Sequence, residues 1–473
     1  MSTAKIFYFT LQDEQTKEEK LTWFARTRFE EIPFQHITPD KKANWINLTD
    51  NDFDSLLPLI DKDVKAGKSQ EAVFQLFSAG IKTQRDEWVY DFSKEVLMER
   101  MKYFVEVYQE RLEKGINRDL NTDIKWDREL EKYLIRKVKK DFEENKIVRS
   151  LYRPFVKMFF YFDRHFNGMP YQWYSIHPDC SESQIPQNLV IGFVSGSRLN
   201  FSAIATETIA NLSVYSLDPI QCLPLYRYDK NGNRIDNITD WALEQFCNYY
   251  RSPSIPLEKG EEESELALKK GEEESKLAFL KREHESEPPF LKGGRGDQIT
   301  KLDIFYYTYA VLHHPAYRSK YKINLKREFP RLPFYPNFYQ WVVWGKTLMD
   351  LHLNFETIEP YGLERFDMAS KTNPKTKLKA DKTAGVITLD ENTQLQGVPA
   401  LAWEYKLGNR SALEWILDQY KEKTPKDPTI AKLFNTYKFA DYKEYVIDLL
   451  QRVCTVSTQT MAIIQQMPPT AHL

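Results

Sequence analysis

Two kinds of hydrophobic pattern follow one another along the chain and limit the folds that it can adopt. Apolar residues recur at helical spacing between Ser93 and Gly115, and further helical runs occupy residues 300–354. Between these regions, residues 151–240 carry short aromatic and β-branched runs that alternate with turns, which is typical of strands. We therefore predict an α+β fold in which helices pack on a sheet-rich body.

The same reasoning predicts individual elements. We expect strands at residues 5–9, 158–163, 189–195, 211–215, 386–389 and 400–406, and a hairpin turn at Asn231-Gly232. We expect helices at residues 18–27 and 337–354, a charged helix through Leu130, Leu134, Val138 and Phe142, and a final helical pair at about 441–466. Capping boxes at Thr300–Asp303 and Ser411–Glu414 predict the first residues of two more helices.

Charge and composition restrict the location and the partners. The chain has 66 Lys and Arg against 68 Asp and Glu, so a surface for nucleic acid must be a local patch. The four cysteines lack the spacing of a zinc site or a disulfide framework, which favours the reducing cytoplasm. The longest apolar run, residues 188–196, is far shorter than the roughly 20 residues of a membrane span, so we expect no membrane association.

A short tandem duplication interrupts the pattern. Residues 259–267 and 270–278 are nearly identical and repeat with an 11-residue period. Two copies are too few for a coiled coil, and the segment is rich in Glu and Lys. We expect residues 253–297 to be an insertion that loops out of the domain.

Searches for catalytic motifs give one candidate. The tripeptides at Gly67 and Gly345 resemble the end of a phosphate-binding loop, but Lys62 and Gln340 stand where its first glycine is needed. Asp390, at the end of one predicted strand, and Glu404 and Lys406, on the next, match the spacing with which some nucleases bind Mg²⁺. A free-standing nuclease therefore stays open as an alternative.

Basic residues interleaved with aromatic residues are the remaining signal. They occupy residues 149–164 and 318–331, and residues 371–382 are predicted to form a lysine-rich loop. On a strand, alternation sends aromatic side chains inward and cations outward, where they can contact phosphates or base edges. An ordinary solvated surface gives the same pattern, but three such stretches in a nearly neutral chain favour DNA.

Several longer motifs resemble the C-terminal part of type ISP restriction-modification enzymes. These are single chains that join a nuclease, a helicase-like ATPase, an adenine methyltransferase and a target recognition domain. The matching stretches occur in the family's order over most of residues 70–465. They are GIKTQRDEWVYDF (80–92), YRPF (152–155), FYFD (160–163), ITKLDIFYY (299–307), HPAYR (314–318), FPRLPF (329–334), LHLN (351–354) and YKLGNRSALEW (405–415).

The resemblance implies a division into two parts. Residues 1–65 would be the C-terminal remnant of an adenine methyltransferase domain, and residues 70–473 the target recognition domain, interrupted by the insertion at 253–297. The family's methyltransferase, ATPase and nuclease motifs would lie upstream, so S-adenosylmethionine, ATP and Mg²⁺ would belong to those parts and this chain would bind no cofactor. Whether the chain alone is an enzyme stays open.

The function implied is sequence-specific recognition of double-stranded DNA. A second alternative is a protein-interaction module that docks on a separately encoded methyltransferase and helicase part. We expect no catalytic residue and no metal ligand in the chain. The residues predicted to contact DNA are Lys82, Gln84, Arg85, Arg153, Lys157, Arg164, Arg198, Lys371, Lys375, Lys377 and Lys379.

Overall fold

A computed structural model defines the fold of most of the chain. It describes residues 4–11, 15–39, 45, 52–114, 123–178, 188–195, 198–216, 218–251, 298–368, 372 and 374–470. The insertion predicted at 253–297 lies outside the described residues.

The described helices vary from one turn to 28 residues. They are α1 (Lys17–Arg26), α2 (Lys62–Lys65), α3 (Asp86–Val89), α4 (Lys94–Lys114), α5 (Arg128–Ile135), α6 (Trp173–Ile176), α7 (Asp240–Arg251), α8 (Lys301–His313), α9 (Pro315–Lys320), α10 (Lys322–Leu325), α11 (Phe338–Leu353), α12 (Ala400–Glu404), α13 (Ala412–Gln419), α14 (Pro428–Leu433) and α15 (Phe439–Gln466). Short 3-10 helices occupy Phe29–Glu31, Asp52–Ser55 and Glu144–Lys146.

The strands are short. They are β1 (Ile6–Tyr8), β2 (Gln35–Ile37), β3 (Leu57–Pro58), β4 (Ser78–Ala79), β5 (Tyr90–Asp91), β6 (Ile147–Arg153), β7 (Val156–Tyr161), β8 (Val190–Val194), β9 (Ser202–Thr206), β10 (Ile209–Ala210), β11 (Gln221–Pro224), β12 (Tyr226–Tyr228), β13 (Arg234–Asp236), β14 (Arg331–Leu332), β15 (Glu364–Asp367), β16 (Thr376–Asp381), β17 (Val386–Asp390), β18 (Thr393–Gln396), β19 (Lys406–Leu407) and β20 (Arg410–Ser411). Three sheets have four strands, in the orders β10-β6-β7-β5, β4-β11-β8-β9 and β15-β18-β17-β16.

Two hydrophobic cores hold these elements together. In one, the sheet around β6 and β7 packs with α4, α13 and α15. In the other, β8 and β9 pack against α8 and α11. Helices α8 and α11 approach closely because Gly345 lies against the backbone of Tyr306, where an added Cβ would be 1.8 Å from the carbonyl oxygen. This mixture of helices and antiparallel sheets confirms the predicted α+β class.

The capping signals correctly marked the first residues of several helices. The hydroxyl of Thr300 accepts from the backbone N–H of Asp303, and the hydroxyl of Ser411 accepts from that of Glu414. Ser93 caps α4 in the same way, through the N–H of Val96. The Asn231-Gly232 turn also joins two paired strands as predicted, with Gly232 at a φ of +79°.

Two helix predictions were wrong in extent. Helix α5 ends at Ile135, because Lys137 adopts a left-handed conformation with a φ of +53° and turns the chain away before Val138 and Phe142. The predicted helical pair near the C-terminus is the single helix α15, which contains no glycine or proline to interrupt it.

Two strand predictions were also wrong. Residues 211–215 form turns, because the side-chain carbonyl of Asn211 accepts from the N–H of Ser213 at 2.9 Å. Residues 400–404 form helix α12 directly after Pro399, and the partner of β17 is β18 instead. The sequence after Pro399 is dominated by good helix formers, and this preference prevails over the apparent alternation.

The N-terminal residues differ from the rest in burial. Strands β1 and β2 pair beside α1, which has no buried residue, and Phe24 and Phe29 are 70% and 73% exposed. Residues 53–60, in contrast, contribute Leu59 and Ile60 to the second core. The boundary that we placed at residues 65–70 stays a prediction.

Helices α7 and α8 start side by side. The ammonium of Lys301 lies 2.6 Å from a carboxylate oxygen of Asp240. Further along both helices, the hydroxyls of Tyr250 and Tyr307 are 3.5 Å apart, so the two helices run in the same direction. No helix among the described residues is both long enough and apolar enough to cross a bilayer.

Candidate nucleic-acid interface

The loop of residues 80–86 is held by backbone contacts on both sides. Lys82 exchanges two backbone hydrogen bonds with Met169, of 3.0 and 2.8 Å. At the start of the loop, Gly80 lies so close to Asn211 that an added Cβ would be 2.4 Å from the Asn211 carbonyl oxygen. The loop is therefore fixed between two neighbouring segments of the domain.

Gln84 is presented at the tip of this loop. It is exposed and has a φ of +63°, which is uncommon for a residue with a side chain and places it at a sharp turn. Its side chain packs over Gly168, where an added Cβ would lie 2.8 Å from it. Met169 and Tyr171, which follow Gly168 in the chain, are also exposed. The Gln84 side chain is thus held at the surface against Gly168.

Arg85, by contrast, points into the protein. Its side chain is 1% exposed, forms an ion pair of 2.6 Å with Asp127, and donates to the carbonyl of Phe166 at 2.6 Å. The guanidinium also lies over the ring of Phe104. Burial lowers the pKa of Arg85, and the adjacent Asp127 carboxylate opposes that shift. In this structure, the Arg85 guanidinium therefore stabilises the core under the loop.

Arg153 belongs to a polar network beneath the loop. Its guanidinium lies 4.0 Å from the ring centre of Tyr152 and donates to the side-chain oxygen of Asn211 at 3.3 Å. The amide of Asn211 in turn donates to Asp86 at 3.3 Å, and Thr83 also donates to this carboxylate. Burial raises the pKa of Tyr152 to about 12, so its hydroxyl stays protonated at neutral pH. The network fixes the orientation of Asn211.

A cleft of about 550 Å³ lies between the loop and the segments around Asn211 and Lys426. Its lining includes Lys82, Lys125 and Lys426, and none of the three forms an ion pair with a described residue. Lys125 and Lys426 are exposed, so their ammonium groups are available to an anion. Because the lysines come from three distant parts of the chain, sequence reasoning found Lys82 and missed the other two.

The carboxylates in the same cleft accept hydrogen bonds from other groups of the protein. Glu87 accepts from the backbone N–H groups of Lys426 and Asp427, at 3.0 and 2.9 Å. Asp427 accepts from the indole of Trp88 at 2.7 Å and caps helix α14. These hydrogen bonds orient the carboxylates and stabilise the walls of the cleft, but they come from neutral groups, so the carboxylates keep their charge beside the three lysines.

Lys157 is neutralised by acids. Its ammonium lies 3.0 Å from Glu356 and 3.7 Å from Glu207, and its side chain is largely buried. Arg149 contacts the same Glu356 at 2.8 Å. Burial alone would raise the pKa of Glu356, but the charges of Lys157 and Arg149 outweigh it and lower the pKa below its ordinary value. The basic stretch at 149–164 thus supplies several internal ion pairs.

Arg164 and Arg198 are both exposed, in different surroundings. The guanidinium of Arg164 lies 4.3 Å from the ring centre of Tyr174. Arg198 is 74% exposed at the side chain and pairs with Asp218 at 3.3 Å. Both side chains can reach a ligand, but neither lines the cleft.

The lysine-rich stretch follows an edge strand. Lys377 and Lys379 lie on β16, at the edge of its sheet, and are exposed while Leu378 between them is buried. Lys375, immediately before the strand, is exposed as well, and these three lysines form no ion pair with a described residue. Lys371 lies outside the described residues. Residues 376–381 thus form a strand instead of the predicted lysine-rich loop, and this strand presents its cations to solvent.

The structure separates the residues of the nuclease alternative. Asp390 is buried, pairs with Lys443 at 2.8 Å and accepts from the N–H of Thr393. Glu404 lies on helix α12, because the strand predicted there is absent, and together with Lys406 it lines a different groove. Within the described residues, no three His, Cys, Asp or Glu side chains are grouped so that they could hold a metal ion.

Comparisons with known proteins agree with the motifs. A family model described as the type ISP C-terminal specificity domain matches residues 72–449. No match was found among curated proteins.

Three solved structures resemble the fold. A cryoEM structure of a DrdV–DNA complex is 40% identical with a TM-score of 0.77, over 99% of this chain and 44% of that chain. The type ISP restriction-modification enzyme LlaGI, as a nuclease-deletion mutant with a DNA substrate mimic, is 25% identical with a TM-score of 0.69, over 98% and 33%. The ATP-dependent type ISP enzyme LlaBIII bound to DNA is 25% identical with a TM-score of 0.70, over 94% and 26%.

The chain thus spans less than half the length of each of these proteins. The family match covers most of its residues and includes the loop, the cleft and the edge strand described above. The chain belongs to the type ISP C-terminal specificity domain family, as its motifs indicated.

Proposed function

We propose that this chain recognises a specific sequence in double-stranded DNA, as the specificity part of a type ISP restriction-modification enzyme. The observation that carries the proposal is the match of residues 72–449 to the family's specificity domain. The three similar structures were each solved with DNA or a DNA mimic, which supports the same ligand for this chain.

The residues of the cleft suit two different kinds of contact with DNA. Lys82, Lys125 and Lys426 suit phosphate contacts, because they are cations without a carboxylate partner among the described residues. Gln84 suits base recognition, because a glutamine amide can donate to and accept from the major-groove edge of adenine. The fixed loop keeps this amide at one position, which reduces the entropy lost on binding.

The other predicted residues take different roles. Lys375, Lys377 and Lys379 on the edge strand suit phosphate contacts outside the cleft, and the exposed Arg164 and Arg198 can add to them. Arg153 positions Asn211, whereas Arg85 and Lys157 are used by internal ion pairs.

Catalysis would then belong to other parts of the enzyme. S-adenosylmethionine, ATP and Mg²⁺ would be bound by methyltransferase, ATPase and nuclease parts. This chain would determine the DNA sequence at which those parts act. This role places the chain in the cytoplasm.

A second, compatible function is docking on a separately encoded methyltransferase and helicase part. It is favoured by the exposed aromatic residues Phe7, Phe24 and Phe29 beside the unburied helix α1, because exposed apolar patches mark interaction surfaces. Co-expression with such a part should increase the soluble yield of the parent chain. A Phe24→Ser/Phe29→Ser variant should be soluble without the partner and should not co-purify with it; equal behaviour of parent and variant would contradict docking through this surface.

Selection of bound duplexes from a random DNA pool, at two salt concentrations, tests the recognition proposal. We expect an enriched asymmetric motif and binding that weakens with salt, because phosphate contacts release counterions. Absence of binding at both salts would contradict DNA recognition by this chain. Salt-dependent binding without a motif would contradict specificity in the chain alone.

Two variants then separate the proposed contacts. Gln84→Ala should relax one position of the motif, at a cost of roughly 1–3 kcal/mol on the preferred base. Lys82→Gln should weaken all sequences alike. Lys346→Gln is the matched control, because Lys346 is an exposed lysine on α11 that pairs with Asp350 and does not line the cleft. Identical motifs from parent and Gln84→Ala would exclude Gln84 as a base contact.

A further inference from the structure

The basic stretch at residues 318–331 divides into two groups in the structure. Lys320 pairs with Asp52 at 2.8 Å, and Arg331 lies 3.7 Å from Asp54. Arg318 instead lines a separate groove of about 350 Å³, between α9 and α10 on one side and the end of α12 and β19 on the other. Lys320 and Arg331 therefore help to hold the fold together, whereas Arg318 lines an open groove.

The groove has an excess of positive charge. Four of its side chains are cations, Arg318, Lys322, Lys326 and Lys406, and one is a carboxylate, Glu404. Lys406 is exposed and forms no ion pair with a described residue. The pKa of Glu19 on α1 is lowered mainly by hydrogen bonds with Thr16, and the charge of Lys406 makes a smaller contribution. The field inside the groove favours an anion.

Arg318 is fixed in an orientation suited to an anion. Its Nε donates to the carbonyl of Leu312 at 2.6 Å, and the guanidinium lies 5.6 Å from the ring centre of Phe201. Its two terminal nitrogens make no hydrogen bond or ion pair with any described residue. A guanidinium held on one side, with its other donors free, can bind two oxygens of one phosphate.

The cations come from successive segments of one wall of the groove. Arg318 lies on α9, Lys322 on α10 and Lys326 directly after α10, and all three line the groove. A row of cations matches the repeating charges of a polynucleotide backbone better than a single compact ion.

We propose that the groove lined by Arg318 and Lys406 binds backbone phosphates of the DNA, as a second contact surface apart from the cleft at Lys82. The inference rests on the proposed function. Arg318 holds one phosphate through its terminal nitrogens, and Lys406 neutralises the same strand from the opposite wall. Contacts of this kind set affinity and orientation and do not read the sequence.

The test measures how the affinity for duplex DNA depends on salt, using the full chain. Lys406→Gln and Arg318→Gln should each reduce the steepness of log K against log salt by about 0.9, the loss of one phosphate contact, and should weaken all sequences alike. Lys320→Gln is the matched control, because it removes the same charge from the same helix but outside the groove. We expect it to keep the slope of the parent.

The possible results have distinct meanings. A parent chain that binds no duplex overturns the proposed function and this inference with it. A parent that binds, while both groove variants keep its slope, overturns this inference alone. Arg318→Gln loses an internal hydrogen bond and needs a melting curve as a folding check, whereas Lys406 is exposed and can be replaced without that concern.

A free anion is distinguished by a second arm without DNA. Thermal unfolding is followed with inorganic phosphate, and with sodium chloride at equal ionic strength. If phosphate stabilises the parent and not Lys406→Gln, while both proteins show the same salt slope with DNA, the groove holds a small phosphate compound, and the assignment to the DNA backbone is wrong.

Discussion

Replacing Arg85 by methionine should destabilise the protein, because the Arg85 side chain is buried beneath the loop that carries Gln84. The substitution removes the ion pair with Asp127 and the hydrogen bond to Phe166, and it leaves a largely buried carboxylate without its partner. Breaking one side of a buried ion pair costs about 3–5 kcal/mol. We therefore expect the free energy of unfolding, measured by urea denaturation, to fall by about this amount.

Asp127→Asn provides the control. Asp127 also caps α5 by accepting from the N–H of Leu130, and asparagine is an equally good cap, so this change removes the charge alone. The double variant should be more stable than the sum of the two single losses predicts, because it has no unpaired buried charge. If Arg85→Met were as stable as the parent and lost preference at one base of the DNA motif, Arg85 would be a DNA contact and our assignment to the core would be refuted.

Three further changes test other parts of the structure. Burial, with a smaller effect from the charge of Arg318, lowers the pKa of His352 to about 3. The unfolded chain therefore binds the proton more readily, and the free energy of unfolding falls as the pH drops below about 6.5. Between about pH 7.5 and pH 5.5, His352→Gln should remove about 1.4 kcal/mol of this loss, as measured by urea titrations at each pH. A pH profile like that of the parent would contradict this. Gly345→Ala should destabilise the protein by about 1–3 kcal/mol, because the added Cβ would meet the Tyr306 carbonyl. Gly362→Ala is the control and should leave the stability unchanged, because no atom lies within 4 Å of its Cβ position. Equal melting curves for the two variants would refute the close helix contact. Ser411→Ala should lower the unfolding free energy by about 1 kcal/mol through loss of the cap on α13, and a loss near zero would show that the capping bonds are not needed.

Local signals in the sequence determined much of the fold. The capping residues Thr300 and Ser411 act within four residues of themselves, so their effect can be read from the sequence directly. The failures came where tertiary contacts or a single backbone angle decide the outcome. The left-handed Lys137 that ends α5 has no marker in the sequence, and the side-chain turn at Asn211 competes with a strand that its neighbours favour.

The candidate site was predicted less completely than the fold. Composition identified stretches rich in cations, but it could not tell which cations have a carboxylate partner. Lys157 and Arg85 find acids that are distant in the sequence, whereas Lys82 and Lys406 do not. Pairing of this kind depends on the three-dimensional arrangement. The sequence alone therefore shows where cations are concentrated, but not which of them can bind an external anion.

The parallel start of α7 and α8 has a practical consequence for protein engineering. Because Lys301 lies beside Asp240, the chain that leaves α7 at Arg251 must return along one helix of twelve residues, about 18 Å. About six extended residues can span that distance, whereas residues 252–297 are available. Shortening the connection changes the entropy of loop closure by only about 1–2 kcal/mol. The junction is therefore a suitable place to exchange native residues for a fluorescent reporter or an affinity tag.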